Sequence, residues 1–185
     1  MTKLQNELPK ETEAGIDSFR CSKDNDLTEF LQTHAALFEK NDKSRTYAFL
    51  DECELRARRI RIAAYFSVAM QVMYVPSHLS VRQIQRLDGF SGKIHGRKIE
   101  ALPVFLIGQL ARDDCYMDAI SGHEILYYAR LVIRRAQKSI GGRVVMIDVK
   151  SSATGLLRFY QSEDFHFLSA DEETGLSQLI YMLND

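Results

Sequence analysis

Cysteine is scarce in this 185-residue chain, and its three copies cannot do paired work. Cys21, Cys53 and Cys115 are odd in number and far apart. They match no zinc-binding spacing and no disulfide framework, which points to a reducing cytoplasm. His34, His78, His95 and His166 show no ligand spacing either, so no metal site is expected. Long apolar runs are also missing: none approaches the ~20 residues of a membrane-spanning helix. There are no internal repeats and no low-complexity linkers, so the chain reads as one domain with length enough for a core. The first 15 residues, MTKLQNELPKETEAG, are polar and mixed in charge, without the apolar centre of a signal peptide. They are expected to form a flexible segment ahead of a single domain over 16–185.

A net charge of one sign is lacking too: the formal total is −1. The distribution is uneven, however. From Leu55 to Arg143 there are 15 Lys and Arg against 6 Asp and Glu, a difference of +9, while both ends are acidic. A solvated basic surface accounts for this most simply, and a phosphorylated ligand held by the middle of the chain would also fit.

What is present is a regular alternation of elements. Residues 24–40 place Leu27, Phe30, Leu31, His34 and Phe38 on one helical face, with Asp26 and Glu29 spaced as a capping box. RTYAFLDE reads as a strand, and RIRIAAYFSVAMQVM as a longer one with Ile60, Ile62, Ala64, Phe66 and Val68 alternating. DECELRAR between them suits a hairpin connection. Residues 76–101 are expected to hold a short helix near Ser80–Leu87 and then a loop. LPVFLIGQLARD is apolar enough for a strand buried on both faces. The helix after it carries a stripe of Ile125, Leu126, Ala129, Val132, Ile133 and Ala136, and ends at Gly141–Gly142. A buried strand (RVVMIDV), a short helix (ATGLLRFYQSED) and two strands (FHFLS, LSQLIYML) follow. The order β-α-β-β-(α)-β-α-β-α-β-β predicts an α/β protein with a mixed sheet of about six to seven strands flanked by helices.

Three segments resemble the GNAT superfamily of acyl-CoA-dependent N-acyltransferases. FRCSKDNDLTEFLQTHAALFEK, followed by RTYAFLDE and IAAYFSVAM, looks like the F-x-C, L-x-x-F-L, T-Y, G-Y-F-T-L opening of one branch. LIGQLARDDCYMDAISGHEILYYA aligns with the central I-G-R-L-A-V-D strand, the Q-x-x-G-x-G loop and the helix after it. LLRFYQSEDFHFL matches A-x-x-F-Y-x-x-x-G-F. Together they span roughly Phe19 to Leu168. The resemblance implies a GNAT-like fold whose sheet splays after the strand at 104–112.

It also implies a site. Leu110, Ala111 and Arg112 would offer backbone groups to the pantetheine arm of acetyl-CoA. Met117, Asp118, Ala119, Ile120, Ser121 and Gly122 occupy the loop that would cradle the pyrophosphate at a helix N-terminus, with His123 as a further donor. Tyr160 matches the tyrosine that protonates the departing thiolate. A phenol of pKa ~10 is protonated at neutral pH and suits that task.

The sequence departs from the pattern in this loop. Met117 stands where Gln or Arg is usual, Ile120 replaces the first glycine, and Asp118 places a carboxylate where an anion would sit. Only Gly122 remains. SGHE at 121–124 is itself an S-x-x-E capping box, which would satisfy the helix start without any phosphate. Asp164 replaces the glycine of G-F and tolerates a left-handed backbone. Leu156 replaces a small alanine and is expected to crowd its neighbours. Arg56, Arg58, Arg59 and Arg61 read as a charged hairpin, or more sharply as an RNA contact.

The function expected is an N-acetyltransferase that moves the acetyl group of acetyl-CoA to a primary amine. The rival is a GNAT-fold binding or regulatory module without catalysis. A third reading is an aminoacyl-tRNA-acetylating toxin, not favoured because the chain is not clearly basic. Partners are then acetyl-CoA and an amine-bearing acceptor, with a homodimer allowed, RNA not favoured and no membrane.

Overall fold

The structure, a computed structural model that describes residues 1–183, divides into two units. The first combines residues 1–69 with 107–132; the second combines 70–106 with the stretch from 133 onward.

In the first unit, α1 (Thr2–Glu7) and α2 (Pro9–Ser18) occupy the segment expected to be flexible. The predicted order opens on a strand, but the residues before Asn25 hold only α1, α2 and the irregular stretch 19–24. Next come α3 (Asn25–Glu29), a π-helical turn (Phe30–His34) and α4 (Ala35–Lys40). The cap of α3 is Asp24, whose side chain accepts from Asp26 N–H, so the helix begins two residues before the predicted capping box. The wide π turn adds a residue to the helical register. Its effect is visible in burial: His34, expected on the apolar face, is exposed, while Ala35 and Glu39 turn inward. Glu39 is satisfied there by Thr46 N–H at 3.1 Å. Phe19, Phe30 and Tyr65 form an aromatic cluster in this core, and Tyr65 O–H donates to the Leu27 carbonyl at 2.6 Å.

β1 (Arg45–Leu50) pairs antiparallel with β2 (Ile62–Tyr74), in register Arg45↔Val68 to Phe49↔Ala64. The predicted hairpin connection contains a short helix, α5 (Glu52–Arg56). In the second unit, α6 (Val81–Asp88) lies within the region where a helix was expected, and the expected loop holds a small hairpin, β3 (Lys93–Ile94) with β4 (Arg97–Lys98).

β5 (Ala101–Arg112) is followed by α7 (Gly122–Ile140), β6 (Val144–Lys150), α8 (Thr154–Ser162), β7 (His166–Asp171) and β8 (Leu176–Met182). The main sheet has six strands in the order β1-β2-β5-β6-β8-β7. It is mixed: β5 runs parallel to β6 at Phe105↔Val145 and Leu106↔Met146, whereas β6–β8 and β7–β8 are antiparallel. Parallel pairing requires the crossover that α7 supplies. α7 buries Ile125, Leu126, Ala129 and Ile133 of the predicted stripe. It ends at Gly141 and Gly142, both at positive φ, and the Phe105 ring lies where a Cβ on Gly142 would project.

Candidate active site

The segment between β5 and α7 is fastened to its own unit at several points. Asp113 N–H donates to the Ala63 carbonyl at 2.9 Å. Its carboxylate accepts Cys115 N–H and Arg20 N–H, each at 2.8 Å. Asp114 accepts from Ser22 through both N–H and hydroxyl. Tyr116 O–H donates to Asp51 Oδ2 at 2.9 Å, while Asp51 Oδ1 caps α5. Burial, then this bond to a carboxylate, pushes the Tyr116 phenol up to about 12. Hydrogen bonds from Glu54 N–H and Tyr116 hold the Asp51 carboxyl below its usual range. None of these anchors depends on glycine.

Arg112 organises the remainder. Its Nη1 donates to the carbonyls of Met117 and Ile120, both at 2.7 Å. Across a trans peptide the C=O and the following N–H point in opposite directions. The N–H groups of Asp118 and Ser121 are therefore turned away from the guanidinium. A side chain thus orders backbone that the family pattern leaves to glycine. Ile120 is half-buried and lies outside the positive-φ residues, so its β-branch is not strained. Gly122 is simply the first residue of α7.

The predicted capping box forms. Glu124 Oε2 accepts Ser121 N–H and Ser121 O–H, each at 2.8 Å, and Ser121 Oγ accepts Glu124 N–H at 3.1 Å. These bonds hold the Glu124 carboxyl below its usual range. One of the N–H groups that Arg112 turns outward is therefore engaged by an anion of the chain itself.

Leu110, Ala111 and Arg112 at the end of β5, and Met117, Asp118, Ala119, Ile120, Ser121, Gly122 and His123 after it, all lie in the first unit. Asp118, Ala119 and His123 are exposed. The role of the Arg112 side chain was missed from sequence, where only its backbone was considered. A lone arginine followed by two aspartates is the sole trace it leaves.

Tyr160 belongs to the second unit, on α8. It is 5 % exposed, packed edge-on against Phe159 and Phe165. Its hydroxyl makes no hydrogen bond among the described residues. Burial alone raises its pKa above the usual phenol value, so it carries its proton across the physiological range. Asp164 takes the left-handed backbone anticipated for it (φ 63°), and Phe165 N–H closes the turn onto the Tyr160 carbonyl at 3.0 Å. Leu156 is 51 % exposed, so the predicted crowding does not occur.

The Arg56–Arg61 cluster is partly neutralised. Arg56 pairs with Glu52 at 3.2 Å, and Arg59 with Glu54 at 2.6 Å. Among the described residues there is no His, Cys, Asp and Glu grouping able to hold a metal, and no helix long and apolar enough to cross a membrane.

The six-stranded mixed sheet with flanking helices is a GNAT-like fold. The chain is similar to AtaTR bound with acetyl-CoA (TM-score 0.68, 18% identity, covering 90% of this chain and 86% of that one). It is similar to AtaT complexed with acetyl-methionyl-tRNAfMet (0.67, 18%, 90% and 86%). A mutant of KacT gives 0.64 at 20% identity, over 90% and 86%. No family model matches the sequence.

Proposed function

We propose that the chain is an acetyl-CoA-dependent N-acetyltransferase acting on a primary amine, with residues 16–185 serving as one catalytic domain. The observation that carries this reading is Tyr160: a buried, protonated phenol without a hydrogen-bond partner among the described residues, on a GNAT-like fold. Acetyl-CoA supplies the activated acyl group. The backbone of Leu110–Arg112 would hold its pantetheine arm. The loop ordered by Arg112 would face its pyrophosphate, with the Asp118 N–H turned outward for it. As the amine attacks the acetyl carbon and the C–S bond breaks, the Tyr160 hydroxyl would give its proton to the sulfur, and the proton shed by the amine nitrogen would pass to solvent, from which the phenol is restored.

For the acceptor we favour the amine of an aminoacyl-tRNA. Support comes from the structurally similar AtaT in complex with acetyl-methionyl-tRNAfMet and from the excess of basic residues over 55–143. The binding-module reading has its own support in the Ser121–Glu124 cap, which places a carboxylate at the start of α7.

Calorimetric titration with acetyl-CoA, followed by a thiol-release assay against aminoacyl-tRNA, polyamines, amino acids and peptide N-termini, tests these readings. Binding with thiol release supports the enzyme, and the acceptor that reacts identifies the substrate. Binding without release from any acceptor favours the module. Absence of binding overturns both uses of the loop.

A further inference from the structure

β2 outruns the strand beside it. β1 begins at Arg45, opposite Val68, and no other strand flanks β2 on that side among the described residues. Residues 69–74 therefore continue as an edge. The direction of the backbone groups follows from the bonds at the two ends of β2. The Ala63 carbonyl accepts Asp113 N–H at 2.9 Å, and Val75 N–H donates to the Glu100 carbonyl at 2.8 Å. Asp113 follows β5 and Glu100 precedes it, and β5 is the other neighbour of β2. Backbone groups alternate sides along a strand, so the odd-numbered residues of β2 face β5 and the even-numbered ones face away from it. Up to Val68 the even residues meet β1. The outward groups of Met70, Val72 and Tyr74 meet no strand among the described residues.

The side chains follow the same alternation. Met73 is buried in the core of the second unit with Leu102 and Val104. Met70, Val72 and Tyr74 point to the other face and are 50, 54 and 79 % exposed. The same three residues thus carry outward N–H and C=O groups and exposed apolar side chains. From Ile62 to Val75 there is no charged residue and no proline. Edge strands are ordinarily guarded by one or the other, so this edge is open to a further strand.

We propose that residues 70–74 pair with the same segment of a second copy, antiparallel about Val72, joining two sheets into one across a two-fold axis. In that register Val72 lies opposite the partner's Val72, and Met70 opposite the partner's Tyr74. Each of these is a pair that exchanges N–H···O bonds, because the outward groups belong to the even residues. The side chains also match: β-branched meets β-branched, and thioether meets aromatic ring. A two-fold axis sets each central residue against its own kind, so any charge there would face a like charge, and this segment has none. The exposed side chains and the strand edge amount to roughly 500 Å² per copy, or about 1,000 Å² in total, which is at the lower bound for a specific interface. A weak dimer is therefore expected, with a dissociation constant in the micromolar range. Neither acetyl-CoA nor an acceptor enters this pairing.

The test is sedimentation velocity of the full chain from about 1 to about 200 μM, a range that brackets micromolar association. The comparison is with Val72→Lys, which sets like charges against each other at the axis, and Val72→Pro, which removes an N–H that faces away from β5. Val72 is exposed and proline is tolerated on an edge, so circular dichroism of both variants should match wild type. Wild type should pass from monomer to dimer as concentration rises, and each variant should raise the dissociation constant about tenfold or more. Hydrogen exchange reads the register. The amides of Met70, Val72 and Tyr74 should slow with concentration in wild type, while those of Gln71 and Met73 should not change. A wild type that stays monomeric, with the three amides exchanging freely at every concentration, overturns the proposal. So does a dimer that both variants leave intact. A dimer weakened by Val72→Lys but not by Val72→Pro would meet through side chains alone, and the strand pairing would fall.

Discussion

Ser121 and Glu124 close on each other at the start of α7: the Ser121 N–H and hydroxyl both reach Glu124 Oε2 at 2.8 Å, and the Glu124 N–H returns to Ser121 Oγ at 3.1 Å. A helix start is a favourable place for an anion. Here the chain supplies that anion itself, and a pyrophosphate arriving at the same donors would have to displace or tolerate it.

The first prediction concerns that carboxylate. Glu124→Gln keeps an acceptor for Ser121 but removes the charge. Acetyl-CoA affinity, measured calorimetrically, should rise about two- to fivefold at low salt and much less at high salt. The pH dependence has a definite sign. The folded Glu124 pKa is lowered, so its contribution to stability is complete above the unfolded value of ~4.3 and is lost as pH falls through the folded one. The difference in melting temperature between wild type and Glu124→Gln should therefore hold steady near neutrality and shrink in acid. A difference that grows in acid contradicts the capping role.

The second prediction concerns Arg112. One guanidinium nitrogen serves two loop carbonyls, at Met117 and Ile120. Hydrogen bonds from a charged donor contribute about 1.5–3 kcal/mol. Arg112→Met should free the loop and lower acetyl-CoA affinity about tenfold or more. Hydrogen exchange should show faster opening of residues 117–121, with α8 unaffected. Unchanged exchange in this loop would mean that the Asp113, Asp114 and Tyr116 anchors order it on their own.

These two residues show where sequence reading stops. The Ser121–Glu124 box was legible because its partners lie three residues apart and the chemistry is local. The buried stripe of α7 was legible through its period, as was the left-handed turn at Asp164. The Arg112 bonds were not, because backbone carbonyls carry no sequence signature. Ile120 stands where the pattern has its first glycine; its φ lies outside the positive region and its carbonyl is held by Arg112, so the backbone conformation there does not require glycine. The π turn at Phe30–His34 was hidden for a related reason. One extra residue in the helical register exchanged His34 for Ala35 in the core, and no residue type specifies such a turn.

A third prediction follows from Gly89. Its φ of 82° is strained for an L side chain, and a Cβ would meet the Arg143 side chain. The arginine can swing aside, so the backbone dominates. Gly89→Ala should cost about 1 kcal/mol in urea denaturation. A mutant with wild-type stability would show that α6 can end without a left-handed residue.

Leu156 gives a fourth, deliberately bland expectation. Being 51 % exposed, it creates no cavity when truncated. Leu156→Ala should change stability by less than about 0.5 kcal/mol. A loss of 2 kcal/mol or more would place Leu156 in a packed interface.

The last prediction rests on Tyr160. Its ring is buried between Phe159 and Phe165, and its hydroxyl is unpaired among the described residues. Burial raises its pKa, which makes it a weaker acid in the resting protein but keeps the proton in place until a thiolate forms beside it. Tyr160→Phe retains the ring contacts and breaks no hydrogen bond, so the melting temperature should scarcely move. If the phenol is the acid, the lost interaction belongs to the transition state: kcat should fall about 100-fold or more, while acetyl-CoA affinity stays near wild type. Because burial raises the phenol above its usual value of ~10, the acid stays protonated and wild-type activity should show no alkaline limb from Tyr160 below about pH 10. Normal turnover in a folded Tyr160→Phe would reduce Tyr160 to a core residue and leave the proton to solvent.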